Sequence, residues 1–486
     1  MRPSADSSTR FGNAPTRRPG RLTRTNSALS AALVSLLVAV AGLAPTTGAA
    51  ETPRQRTGGS DWPRFLGPGG NNKSTETGIL TRWRPAGPPL VWAVGVGEGY
   101  SGPVIADGRL FHFERYGDRA RLSCRDKDTG ALRWQREYAM QYEDYYGYSN
   151  GPRASPVVDG DRVYTFGVEG RLRCHRVEDG ELLWDVDTAA RFHVVQNFFG
   201  VGSTPVVEGD LLIVPVGGSP PGSPPIHSGE VRGAGSGLVA FDKSNGEVRW
   251  QATDELASYA SPIVATIDGR RWGFAVLRGG LVGFEPRSGR IEFHFPWKAR
   301  RLESVNASSP VVVDDTVLVS EAYGPGAALL RVEPGGYEVV WKDGRRDRSL
   351  ATHWATPVHH EGYFYASSGE HTGNAELRAV ERTTGRVVWS RPGLTRSTLL
   401  WVDGYLVVLG EYGQLRLVRA TPERYEPVAE ADLHAVEVKV ALPDGGAAVR
   451  PVLSFPAWNA PVLSHGLLYL RGRDTLVALE LIPPPA

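Results

Sequence analysis

The side chains best suited to hold a ligand fall in five short segments, each just ahead of a small residue or a proline. Gln141-Tyr-Glu-Asp-Tyr-Tyr-Gly-Tyr-Ser-Asn150 precedes Arg153, and His193-Val-Val-Gln-Asn197-Phe198-Phe199 precedes Ser203. Glu303-Ser-Val-Asn306 precedes Ser308, Thr352-His353-Trp354 precedes Thr356, and Phe455-Pro-Ala-Trp458-Asn459 precedes Pro461. Arg153 carries a planar fork of donors that suits a carboxylate or a phosphate. Trp354 and Trp458 offer faces that stack on a planar or sugar ring. Asn197, Asn306, His353 and Asn459 offer groups that fix such a ring's orientation, with Tyr259 nearby. Aromatics mixed with amides, Arg and His are the composition of a ligand or partner surface. The same aromatics equally suit a plug that packs neighbouring sheets, and both readings stay open at this point.

Other motifs reduce to structure. Gly97-x-Gly99-x-x-Gly102 has the spacing of a dinucleotide fingerprint, which needs a helix to follow it. Pro103-Val-Ile-Ala-Asp-Gly108 instead reads as a strand and a turn. His359-His360 stands where comparable segments carry Asp-Gly or Glu-Gly, and reads as a turn. The chain has no HExxH, no paired CxxC and no G-x-S-x-G elbow. No catalytic residue and no metal ligand is assigned.

The elements that position these segments repeat. Each copy opens with a small residue, Pro and a β-branched run, then an Asp-Gly-type turn, and closes on a strand ending in Trp. Opening prolines stand at Pro103, Pro156, Pro205, Pro262, Pro310, Pro357 and Pro461, and Thr398-Leu399 opens a copy without one. The closing half keeps a ten-residue spacing: Cys124 to Trp134, Cys174 to Trp184, Ala240 to Trp250 and Ala379 to Trp389. Gly283 to Phe293 keeps the spacing with Phe, the copy ending at Trp341 is looser, and the copy over 399–431 loses the Trp. Pro at a strand start does least harm to a hydrogen-bond ladder. Gly supplies the positive φ of a tight hairpin turn. A single four-stranded sheet cannot bury both faces, so the copies must stack.

Periods of roughly 40–50 residues with four strands each predict an all-β fold, an eight-bladed β-propeller of four-stranded antiparallel blades over residues 90–482. The last copy, Trp458 to Ile482, supplies only three strands. Leu90-Val-Trp92-Ala-Val94 is expected to be the fourth, closing the ring with an N-terminal strand. The Pro-, Gly- and Ser-rich insertion from Gly217 to Gly237 is expected to be a disordered surface loop on the face of the ligand segments. Cys124 and Cys174 hold equivalent positions in successive copies, which predicts two small buried thiols with no disulfide between them.

Residues 1–50 read as a signal peptide. Six arginines precede an apolar run from Ala28 to Ala44, followed by the small residues Gly48, Ala49 and Ala50. Residues 51–89 are expected to form an N-terminal extension. Removing the first fifty residues, net +5, takes the chain from +1 to −4. An exported, periplasmic or extracellular location follows, with no transmembrane anchor in the mature chain. A mildly acidic chain also argues against phosphate-driven nucleic-acid binding.

The repeat resembles that of the PQQ-like β-propellers, whose copies end like Ala-x-Asp-x-x-Thr-Gly-x-x-x-Trp. Ala240-Phe-Asp242-Lys-Ser-Asn-Gly246 to Trp250 fits it closely, as does Ala379 to Trp389. Asp61-Trp-Pro-Arg-Phe-Leu-Gly-Pro68 and Ser74-Thr-Glu-Thr-Gly78 resemble the start of an exported bacterial subfamily. The resemblance covers about residues 61–482. The fold signals, the export signal and the lack of a catalytic motif predict a non-catalytic binding or scaffolding module, with an unknown protein or small-molecule ligand at the channel mouth. The resemblance alone implies the alternative, a PQQ-dependent or related oxidoreductase acting on alcohols or sugars. The second would need PQQ with calcium. Quinoprotein dehydrogenases carry adjacent disulfide-bonded cysteines under the cofactor, and this chain has no adjacent pair. The chain is also similar to the barrel-assembly propeller of the outer membrane, typically a lipoprotein, but has no lipid-bearing Cys near its start.

Overall fold

The architecture comes from a computed structural model that describes residues 58–302, 306–442 and 445–484. The signal-peptide reading of residues 1–50 and the segment Glu303–Val305 lie outside these residues. Among the described residues, eight sheets form, seven of four strands and one of six. Blade 1 consists of Val104–Ala106, Arg109–Tyr116, Arg119–Asp126 and Leu132–Ala139, hydrogen-bonded in that order. Blades 2 to 7 repeat this up-and-down order, with first strands Val157–Asp159, Val206–Glu208, Ile263–Ile267, Val311–Val313, Val358–His360 and Ser397–Val402. The copy over 399–431, which lacks its Trp, nevertheless folds as a regular four-stranded sheet. Buried aliphatic and aromatic side chains from facing blades form the core between sheets. No helix among the described residues is long and apolar enough to cross a membrane.

The ten-residue spacing is cross-strand pairing. Trp134 stands opposite Cys124, Trp184 opposite Cys174, Trp250 opposite Ala240 and Trp389 opposite Ala379. A small residue opposite leaves room for each indole. The indole then reaches the next blade and donates Nε1–H to a backbone carbonyl there: Trp92 to Lys127, Trp134 to Val177, Trp184 to Lys243, Trp250 to Pro286, Trp341 to Arg382 and Trp389 to Thr421. Cys124 and Cys174 are free and buried, and burial pushes both thiols up to about 11.

The last blade departs from four strands. Val462–Ser464, Leu467–Arg471 and Thr475–Glu480 pair with Leu90–Gly95, which lies antiparallel to Thr475–Glu480 with Trp92 opposite Ala478. A hairpin, Glu437–Ala441 and Ala447–Pro451, then adds two outer strands through the parallel pair Val94 and Ala441. The hairpin covers an edge that a four-stranded blade would leave open.

Two further expectations need correction. His359 and His360 end the first strand of blade 6, and the turn falls on Glu361 and Gly362, both at positive φ. Blade 1 turns on Asp107 and Gly108, the same four and five residues past its opening Pro, so the histidines two and three past Pro357 stay in the ladder. The insertion 217–237 forms no strand, yet it is held in place. Ser219 N–H donates to Phe192 O at 3.1 Å and Ala234 N–H to Gly218 O at 3.0 Å. Ile226 is buried, and the His227 ring packs on Tyr145 and Phe198, each 4.9 Å away. Apolar anchors inside a Gly- and Pro-rich stretch are what the composition alone conceals.

The extension after residue 58 runs through the ring. Trp62 exchanges backbone hydrogen bonds with Ile105 of blade 1 at 2.9 Å. Pro63 O accepts from Val158 of blade 2, and Asn72 O accepts from Trp401 of blade 7. The Glu76 carboxylate accepts from His465 and Gly466 N–H of blade 8. One segment thus ties the innermost strands of four blades. Gly97 is held in the loop before blade 1, where an added Cβ would lie 2.1 Å from Arg115 O. The Gly97–Gly102 run serves close backbone packing.

Candidate functional site

The loops that lead into each innermost strand converge on one end of the channel and enclose a cavity of ≈ 310 Å³. Arg153, Tyr259, His353, Trp354, Trp458 and Asn459 line it, six of the eight residues expected. Phe65, Leu66 and Asn72 of the N-terminal extension also line it. Their segment bonds to Ile105, Val158 and Trp401, a few residues farther along the innermost strands than the lining Thr204, Thr356 and Thr398 are in theirs. The extension therefore floors the cavity, and the mouth is a cup.

Asn197 and Asn306 do not line the cup. Asn197 faces a neighbouring cavity of ≈ 250 Å³, where its Oδ1 accepts from Arg278 at 2.9 Å. Asn306 is buried, donates Nδ2–H to Leu277 O at 3.1 Å and accepts Tyr259 N–H on its own carbonyl. Both hold loops together, as buried amides do when backbone groups need partners. In compensation, the cup gains Tyr100, Tyr148, Phe199, Tyr323 and Arg396. Of these, Tyr148 and Phe199 fall inside the aromatic segments of the sequence. Arg396 stands in the one copy with no opening Pro, where no segment flags it.

The aromatic rings form a connected wall. Trp458 lies 5.0 Å from Trp354, 4.9 Å from Tyr100 and 6.0 Å from Tyr148, between ring centroids. Tyr148 continues to Phe199 at 5.9 Å, and Phe199 to Tyr259 at 5.6 Å. The Arg396 guanidinium sits 4.6 Å over the Trp354 ring. His353 hydrogen-bonds Tyr323 at 2.7 Å through Nε2. Burial, reinforced by Arg396 and His371, pushes His353 down to about 3, so it is neutral at pH 7. His353 Nδ1 and Trp354 Nε1 have no hydrogen-bond partner, a state that costs roughly 1–3 kcal/mol per buried group.

Each guanidinium at the cup is paired to a carboxylate. Arg153 bonds the Asp144 carboxylate and donates to Ser149 O at 3.0 Å and Gly151 O at 3.3 Å. The expectation that Arg153 holds a ligand's carboxylate or phosphate is met within its own loop: Asp144, with a fully buried side chain, takes that place. Arg396 likewise grips Glu411, with Nη2 2.7 Å from Oε2, and Trp458 Nε1–H donates to the same oxygen at 3.1 Å. Burial raises the Glu411 carboxyl, but donors from Arg396, Thr372 and Trp458 outweigh it and hold the group below the ordinary carboxylate range.

A tricarboxylate quinone would meet two guanidiniums that are already paired to carboxylates. Among the described residues, no three His, Cys, Asp or Glu side chains stand together to hold a metal ion.

Fold and mouth define an eight-bladed β-propeller with an aromatic cup. A family model described as outer membrane protein assembly factor BamB matches residues 76–389, and the chain belongs to that family. BamB from Moraxella catarrhalis superposes with a TM-score of 0.52 at 13% identity, covering 81% of this chain and 97% of that one. Quinohemoprotein alcohol dehydrogenase from Comamonas testosteroni superposes with a TM-score of 0.57 at 12% identity, covering 88% of this chain and 81% of that one. At such identities the likeness is one of fold. No curated protein sequence matches significantly.

Proposed function

We propose that this protein is an exported, non-catalytic binding or scaffolding propeller that receives a neutral, ring-bearing group of a ligand or partner in its cup. One observation carries the reading: the walls are aromatic while both guanidiniums are paired to buried carboxylates. Such a surface offers stacking area and orientation for a ring. The basic and apolar start of the chain supports a periplasmic or extracellular location. Family membership with an outer-membrane assembly factor supports protein partners.

Titrating the purified chain with PQQ and calcium tests the reading. We expect neither a bound-quinone spectrum nor dye reduction with alcohols or sugars. Both together would replace binding with oxidoreductase chemistry.

A further inference from the structure

Beneath the aromatic wall lies a belt of hydroxyls. The residue before each opening Pro in blades 2 to 6 is Ser155, Thr204, Ser261, Ser309 or Thr356. Each hydroxyl oxygen accepts a backbone N–H from the preceding blade: Gly102 to Ser155 at 3.1 Å, Ser155 to Thr204 at 3.0 Å, Thr204 to Ser261 at 2.9 Å, Ser261 to Ser309 at 3.1 Å and Ser309 to Thr356 at 3.1 Å. A hydroxyl that accepts still has its own proton to give. Thr204, Ser261 and Thr356 are among the residues that line the cup, together with Trp354, Trp458 and Tyr148.

From this pairing of surfaces we infer that the cup binds a neutral pyranose sugar, most simply the end of an oligosaccharide. The inference rests on the mouth being a binding site, as proposed above. A pyranose presents an apolar C–H face to stack on indole and phenol rings, and hydroxyl oxygens that accept from the belt. An anion finds both guanidiniums engaged. A hydrocarbon, or the ring of a Phe or Trp side chain, matches the wall but strips water from three hydroxyls without replacing it, at roughly 1–3 kcal/mol for each group left unpaired. The connected run from Trp354 through Trp458 to Tyr148 leads from the cup to solvent, where Tyr148 is 59% exposed. A second sugar unit can stack along that run.

The test is calorimetry and tryptophan fluorescence on the purified full chain, with neutral oligosaccharides of glucose, mannose and N-acetylglucosamine. Neutral peptides bearing Trp or Tyr serve as the comparison. We expect an oligosaccharide to bind and quench fluorescence, and Trp354→Ala to weaken it about tenfold or more. Tyr148→Ala should weaken it in the same direction, and its exposed ring makes that variant safe for folding. Oligosaccharide binding left unchanged in both variants would overturn the inference by moving the site elsewhere. Peptides binding at the mouth where no sugar does would overturn the sugar and leave a binding cup. If neither probe binds, the inference and the reading beneath it both fall.

Discussion

Arg153 and Asp144 stand in one loop and neutralise each other away from water, with side chains 10% and 0% exposed. Removing one partner of a buried pair strands the other charge, which costs about 3–5 kcal/mol. Arg153→Ala is therefore expected to lower stability by that order in chemical denaturation. A loss under 1 kcal/mol would mean that Asp144 finds another donor. His353 carries a pH dependence of known sign. Its folded value is depressed to about 3, whereas the unfolded side chain titrates near 6.5. Between those values the unfolded chain binds the extra proton, so stability is complete above about pH 6.5 and falls as pH drops toward 3. Melting temperature should decline from pH 7 to pH 4, and His353→Gln should flatten part of that decline. An unchanged slope would show that the folded ring titrates like the unfolded one.

At the scale of the blade, a turn glycine packs on the Trp of the blade before it. Gly289 sits at φ +73°, and a Cβ there would lie 2.5 Å from the Trp250 ring. Gly180 meets Trp134 and Gly385 meets Trp341 in the same way, at 2.6 and 2.8 Å. Gly289→Ala combines an unfavourable left-handed backbone with a clash against a large ring. A loss of about 2 kcal/mol or more is expected, of the size seen for overpacked cores. Gly404 also has positive φ, at +80°, but an added Cβ meets nothing within 4 Å. Gly404→Ala should therefore cost only the backbone strain, about 1 kcal/mol. Equal losses at the two sites would show that the Trp contact contributes nothing.

The whole ring depends on residues far upstream of its first blade. Leu90–Gly95 adds a strand to the last sheet, and the segment from Trp62 to Glu76 bonds to blades 1, 2, 7 and 8. Deleting residues 51–96 should expose the Thr475–Glu480 edge, remove the floor of the cup and destabilise every blade together. One cooperative transition at a markedly lower melting temperature is the expected result. A deletion that melts like the full mature chain would show that the ring holds without this strand.

The repeat was legible because it is local. Small residues ten positions before a Trp, Gly at tight turns and Pro at strand starts each report a hairpin of one blade, and hairpin pairing depends on near neighbours in sequence. The mouth was legible for the same reason, as those loops must follow the outer strand of one blade and enter the inner strand of the next. What the loops do with their side chains was not legible. Asp144 spends the fork of Arg153, Glu411 spends Arg396, and Asn197 and Asn306 turn away from the cup. Those pairings are set by where blades meet in space. The floor is likewise a tertiary fact: Phe65, Leu66 and Asn72 reach the cup only once eight sheets enclose a channel for their segment to cross. Sequence alone determined the propeller and the end at which the cup opens. Only the folded ring decided which groups remain free there, because unpaired hydrogen-bonding capacity depends on every neighbour that packing supplies.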